Sequence, residues 1–204
     1  MSSKKRTHVF KVCLLGEGAV GKSSLLIQFI EHMFEEDYKI TLGANFLVKD
    51  VYLSSDPSDP DSKTIEIKLQ IWDIAGQARF ATFKQVFFQK ASGGLLIYDV
   101  TRKDTLEKLE PWYADLIEFS GVKDPFVVTI GNKVDLVDKK RKKGEATRAA
   151  GKKFAEKINA LDFFETSAKT SYNVDEAFTR LAKGLYEHFV LKKNLLDEEK
   201  NDVQ

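Results

Sequence analysis

Three continuous apolar runs, Val9 to Leu15, Gly94 to Val100 and Phe126 to Gly131, have the character of parallel strands covered on both faces. A different pattern marks the stretch from Thr64 to Trp72, where Ile65, Ile67, Leu69 and Ile71 alternate with Thr64, Glu66, Lys68 and Gln70. That period of two predicts a strand with one buried and one wet face. Leu47 to Leu53 reads as its hairpin partner. The connection from Ser54 to Ser62 is full of turn formers and carries three aspartates, so it is an exposed tip.

Helical spacing fills the gaps between these runs. Leu26, Phe29, Ile30 and Met33 predict a helix from Gly21 to about His32, and Phe34 to Ala44 then loses the period and reads as a loop. Leu106, Leu109, Tyr113 and Leu116 predict a second helix, and Ala150, Phe154 and Ile158 a third. A short strand from Asp162 to Thr166 follows, and a last helix carries Val174, Phe178, Leu181, Leu185 and Phe189. Strands and helices alternate, with one hairpin inserted early. This is the order of a doubly wound α/β domain, whose ligands bind at the carboxyl ends of the strands.

The chain has 204 residues, 43% of them hydrophobic, enough for one soluble domain with a full core. Its formal charge of +1 argues against nucleic acid as a partner, so any anion must be recognised locally. The single cysteine, Cys13, lies inside the first apolar run, which excludes an internal disulfide and makes it a core residue.

The candidate chemistry lies at predicted strand ends. Gly16-Glu17-Gly18-Ala19-Val20-Gly21-Lys22-Ser23, between the first strand and helix, has the spacing of a phosphate-binding loop, although the pattern alone does not choose between ATP and GTP. Glycines let the backbone amides approach a phosphate chain, and the helix adds its positive end. Lys22 neutralises the outer phosphates, and the Ser23 hydroxyl suits the Mg²⁺ that accompanies them. Asp73 ends the hairpin's second strand, where an acid holds the metal's water shell. Gly76 allows backbone approach to a terminal phosphate, and Gln77 orients a water for attack. Asn132-Lys133-Val134-Asp135 follows another strand, and an aspartate there accepts two N–H donors from guanine. In Glu165-Thr166-Ser167-Ala168-Lys169, the Ala168 N–H is placed to donate to the guanine carbonyl.

In this order the motifs resemble the small GTPases of the Ras superfamily, nearest the Rab branch, over about Phe10 to Phe189. The stretches Tyr38 to Phe46, Trp72 to Gln77 and Tyr98-Asp99-Val100-Thr101 carry the Rab likeness. The resemblance implies the small G-protein version of the P-loop NTPase fold: a six-stranded, mostly parallel sheet with one antiparallel hairpin strand, flanked by helices. It implies a single GTPase domain over 9–190, a flexible basic N-terminus at 1–8 and a charged tail at 191–204. It also implies a switch that binds GTP and GDP with Mg²⁺ and hydrolyses GTP slowly.

By the same resemblance Glu17, Gly18, Ala19, Val20, Gly21, Lys22, Ser23 and Ser24 hold the phosphates, Phe34 packs on the base, and Tyr38 covers the phosphates. Thr41 ligates Mg²⁺ with Ser23 and, through water, Asp73. Gln77, Lys22 and Thr41 are the candidate catalytic residues. Asn132, Lys133, Asp135, Ser167, Ala168 and Lys169 form the guanine pocket. Phe46, Trp72 and Phe87 match aromatics that pack between the two switch loops of Rab proteins. Effectors, exchange factors and GTPase-activating proteins are the partners implied. No arginine lies between Phe34 and Phe46, so a partner is expected to supply one for fast turnover. Arg79 reads as a structural residue of the second switch.

Three departures stand out. Ala78 replaces the usual acid after the glutamine, the hairpin tip is long, and Leu195 to Gln204 contains no cysteine. With Ser2 in place of a myristoylated glycine, no lipid anchor is expected. The expected location is therefore cytoplasmic, with membrane contact through a partner or weakly through Lys139-Lys140-Arg141-Lys142-Lys143, read as a solvated basic loop. Two alternatives are a nucleotide-loaded interaction module with negligible turnover and an ATP-dependent enzyme sharing only the phosphate loop.

Overall fold

The computed structural model describes residues 7–32, 44–55, 58, 62–75 and 84–192. The expectations for Met33, Phe34, Tyr38, Thr41, Gly76, Gln77, Ala78 and Arg79 lie outside the described residues.

Six strands form one sheet: β1 (Thr7–Leu15), β2 (Ala44–Ser54), β3 (Thr64–Ile74), β4 (Gly93–Asp99), β5 (Phe126–Asn132) and β6 (Asp162–Thr166). Their order is β2-β3-β1-β4-β5-β6, with only β2 running antiparallel to its neighbour. The alternation read in β3 is the observed one: Ile67, Leu69 and Ile71 are buried, and the residues between them are partly open. All seven residues of β4 are buried, as a strand covered on both faces requires. Ala44, expected at the end of a loop, already belongs to β2, because its register partner Ile74 extends the ladder to the end of β3.

Two apolar layers cover the sheet. On one face α1 (Lys22–Glu31) and α6 (Val174–Tyr186) meet through Phe29 and Phe178, stacked with ring centroids 4.0 Å apart. The other face carries α2 (Lys84–Phe88), α3 (Lys103–Glu107), α4 (Leu109–Ser120) and α5 (Arg148–Lys157). Cys13 is fully buried there, and burial pushes its thiol up to about 12, so it is an inert core residue.

The single helix expected around Leu106 to Leu116 is two helices. Pro111 has no N–H to offer the Glu107 carbonyl four residues back, and its ring clashes with that oxygen. The chain therefore breaks at Lys108, and Pro111 falls in the first turn of α4, where it is tolerated. The final helix runs on through one wider turn, Glu187–Leu191, that sets Phe189 between Phe10 and Phe126. Among the described residues no helix is long and apolar enough to cross a membrane.

Gly151 shows how tightly α5 is fitted. A Cβ there would lie 2.2 Å from the Tyr98 hydroxyl and 2.7 Å from the Phe163 ring. Tyr98 is fully buried, and a Cβ at Gly131 would meet the same hydroxyl at 2.6 Å, so the phenol has nowhere to retreat. Gly151→Ala is expected to destabilise the protein by about 2 kcal/mol, a fall of roughly 4–8 °C in the thermal midpoint, despite alanine's better helix propensity. A thermal melt that stays level or rises refutes this reading of the contact.

Candidate functional site

Every parallel strand ends at the same edge of the sheet, and register brings its last residues into line. Leu14 pairs with Asp73, Asp99 with Asn132, and Asn132 with Thr166. The loop after β1 arches over this edge. Gly16 (φ 140°) is required because a Cβ would lie 2.1 Å from the Ile97 carbonyl, and Gly21 (φ 97°) because one would lie 2.3 Å from Asn132 Nδ2.

Five successive carbonyls of this loop are held by side chains. Lys22 Nζ donates to Gly16 O (2.8 Å) and Glu17 O (2.9 Å), Arg102 Nη2 to Gly18 O (3.1 Å), Lys133 Nζ to Ala19 O (2.7 Å) and Asn132 Nδ2 to Val20 O (3.0 Å). In a trans peptide the N–H points opposite to the C=O. With the carbonyls of Gly18, Ala19 and Val20 drawn to neighbouring elements, the N–H groups of Ala19, Val20 and Gly21 turn to the other side, the geometry of an anion cradle. Lys22 is almost wholly buried, and burial pulls its ammonium down to about 8, against the opposing charges of Asp73 and Glu17. Ser24 lies in the first turn of α1.

Across the loop Ser23 Oγ donates to Asp73 Oδ2, while Asp73 Oδ1, buried, has no hydrogen-bond partner among the described residues. Burial pushes the Asp73 carboxyl above its ordinary range, and the Ser23 hydrogen bond and Lys22 charge only partly oppose it. A hydroxyl and an unsatisfied carboxylate oxygen are hard donors of the type Mg²⁺ takes, directly or through its waters, so these residues fit that ion.

On the opposite side Asn132 is a brace. Its Nδ2 holds Val20, and its Oδ1 accepts from Thr166 Oγ1 (3.1 Å) and Ala168 N (3.3 Å), tying together the loops after β1, β5 and β6. The Ala168 N–H, read from sequence as a donor to a base, thus faces Asn132 here. Lys133, with φ 70°, bridges Ala19 O and Asp99 Oδ2 (2.8 Å). Asp135, in the single turn Val134–Leu136, is exposed and has no partner among the described residues. Ser167 Oγ accepts from Thr170 N (3.1 Å), and Lys169 is exposed two residues on.

Asp99, to which sequence reasoning gave no role, belongs to this site, and several residues it did place are used differently. Asp99 is 2% exposed and accepts from Lys133, Arg102, Thr101 N and Thr101 Oγ1. Burial alone raises its carboxyl, but the bonds from Lys133 and Thr101 outweigh burial and hold it below the ordinary range. The strand-end rule that found Asp73 and Asn132 also marks Asp99. Glu17, expected beside the phosphates, turns its carboxylate to Trp112 Nε1 (3.3 Å) and Lys108 Nζ (3.7 Å). Arg141 leaves the expected solvated basic loop to pair with Glu165 at 2.6 Å, both side chains nearly buried. Phe46, Trp72 and Phe87 form a row, with successive centroids 5.1 and 6.0 Å apart.

A model of the Ras family matches residues 11–187. The chain is 37% identical over 195 residues to the Ras-related protein Rab-2B of Dictyostelium discoideum, covering 96% of this chain and 89% of that protein. It is 37% identical over 186 residues to the Ypt/Rab-type GTPase ypt7 of Schizosaccharomyces pombe (90% and 84% covered). To the GTP-binding protein ypt2 of the same yeast it is 35% identical over 203 residues (100% and 94%). The sheet edge that gathers the phosphate loop, Asp73 and Asn132 lies wholly within these matches, and the chain belongs to the Ras family as a Rab-like small GTPase.

Proposed function

We propose that this GTPase holds GTP and GDP along the described sheet edge, over one domain spanning 9–190, and acts as a slowly hydrolysing switch. The observation that carries this reading is the clamped phosphate loop, with its inward amides and the unsatisfied Asp73 oxygen beside Ser23. Lys22 and the amides of Ala19 to Ser24 bind the phosphates, and Asp135 accepts the two guanine N–H donors. Ser167, Ala168 and Lys169 border the base, while Asn132 and Lys133 keep the two halves of the pocket in register.

Ser23, Thr41 and, through water, Asp73 would hold Mg²⁺, which when bound would neutralise phosphate charge and supply Lewis-acid stabilisation. Gln77 orients the attacking water and holds it in line with the terminal phosphate. Tyr38 and Phe34 close over the nucleotide. The segments around Thr41 and Gln77 then respond to the terminal phosphate, exposing or withdrawing a surface that includes Phe46, Trp72 and Phe87 for effectors. Exchange and GTPase-activating proteins act on the same segments, the latter supplying an arginine. The Rab likeness supports a role in membrane trafficking, with peripheral membrane contact.

Phosphate release from Mg²⁺-GTP tests the reading, with Gln77→Leu and ATP as controls. The expected turnover is slow, about 10⁻² s⁻¹ or less, selective for GTP, and reduced at least tenfold in Gln77→Leu while GTP binding persists. Equal turnover by the wild type and Gln77→Leu removes Gln77 from the mechanism.

A further inference from the structure

The carbonyls of the phosphate loop are served by residues the nucleotide reading employs, except one. Gly18 O is held by Arg102, which lies 84 positions along the chain, at the start of α3. A Cβ at Gly18 would meet nothing within 4 Å, so no side chain packs against that side of the residue, and the next residue, Ala19, sits at φ 61° in the left-handed region. A residue with a side chain takes that conformation at a cost, and something must hold it there.

Arg102 reaches the loop from a rigid base. Thr105 Oγ1 donates to the Arg102 carbonyl at 2.7 Å, and Asp99 Oδ2 accepts from Arg102 Nε at 3.3 Å. The guanidinium thus spans a buried carboxylate and a loop carbonyl with two nitrogens of one planar group, where a lysine would bring a single ammonium to the carbonyl. Beside it, Trp112 and Lys108 of the α3–α4 shoulder anchor the Glu17 carboxylate. The shoulder therefore grips two consecutive loop residues from outside.

We propose that Arg102 is a positioning residue for the phosphate loop, a latch from the α3–α4 shoulder that holds the Gly18–Ala19 peptide with its N–H toward the phosphates and so slows nucleotide release. The proposal rests on the reading of this loop as the nucleotide site. Arg102 bonds a carbonyl on the side of the peptide opposite that N–H, so its action is on the loop and not on the reacting phosphate. Anything that draws Arg102 away from Gly18, such as a partner offering a carboxylate on the shoulder, would speed exchange without entering the pocket.

The test uses the full chain loaded with Mg²⁺ and GDP carrying a fluorescent ribose label, chased with unlabelled GDP. Arg102→Ala is expected to release the label about tenfold faster than wild type, the scale of one charge-assisted hydrogen bond. Arg102→Lys, which keeps a charged nitrogen for the Gly18 carbonyl and gives up only the second contact to Asp99, is expected to recover most of the slow release, staying within about threefold of wild type. Recovery by lysine separates positioning from a packing defect. Wild-type release by Arg102→Ala overturns the proposal, as does Arg102→Lys releasing as fast as Arg102→Ala. A wild-type chain that retains no labelled GDP at all overturns the nucleotide-site reading beneath it, a failure visible before any variant is compared.

Discussion

Asp135→Asn is expected to lower affinity for GDP by about 10²–10⁴-fold, the loss of two hydrogen bonds to a charged acceptor. The carboxylate presents two acceptors to the N1–H and the 2-amino group of guanine. An asparagine presents one acceptor and one donor, so an N–H is set against an N–H. Xanthine carries an oxygen where guanine has its 2-amino group, and the variant should accordingly prefer xanthosine diphosphate. Because Asp135 is exposed and has no partner among the described residues, its replacement should leave the thermal midpoint of the ligand-free chain almost unchanged. Competition binding with GDP, xanthosine diphosphate and ADP checks all of this. An unchanged preference for GDP would mean that the base is read elsewhere.

Ser23→Ala should have the second largest effect, and its signature is a lost response to chelation. In the wild type, EDTA should accelerate GDP release because it removes the ion held by Ser23 and Asp73. The variant should release GDP ten- to a hundredfold faster from the outset, and EDTA should add little. The substitution also takes away the hydroxyl that donates to Asp73 Oδ2. With Asp73 Oδ1 already unsatisfied among the described residues, a buried carboxylate is left poorly paired, at a cost of about 1–3 kcal/mol to the free chain. Release rates with and without EDTA, measured well below the thermal midpoint, separate the two effects. Equal acceleration by EDTA in both proteins would show that Ser23 does not hold the ion.

The strands and most helices were legible because their cause is local. An alternation such as Ile65 to Ile71 tells which face is buried without reference to the rest of the chain, and a wholly apolar run such as Gly94 to Val100 tells that both are. Where the reading slipped, a single residue overrode the period. Pro111 broke a helix whose apolar spacing ran straight through it, and pairing with Ile74 drew Ala44 into a strand that its own neighbourhood did not announce.

The site divides along the same line. The phosphate-loop motif, the acid at Asp73 and the stretch from Asn132 to Asp135 are each contiguous in sequence, so each can be read within a few residues. Sequence could therefore name the candidate donors and the strand ends that carry them. It could not specify that Asn132 is spent on bracing three loops, that Glu17 turns to Trp112, or that Arg141 is withdrawn to Glu165. Nor could it pair Arg102 with Gly18. These contacts join residues 24 to 112 positions apart, and each forms only because parallel strands deliver their ends to one edge in register. Local patterning decides which groups are available; the sheet's long-range register decides which of them touch.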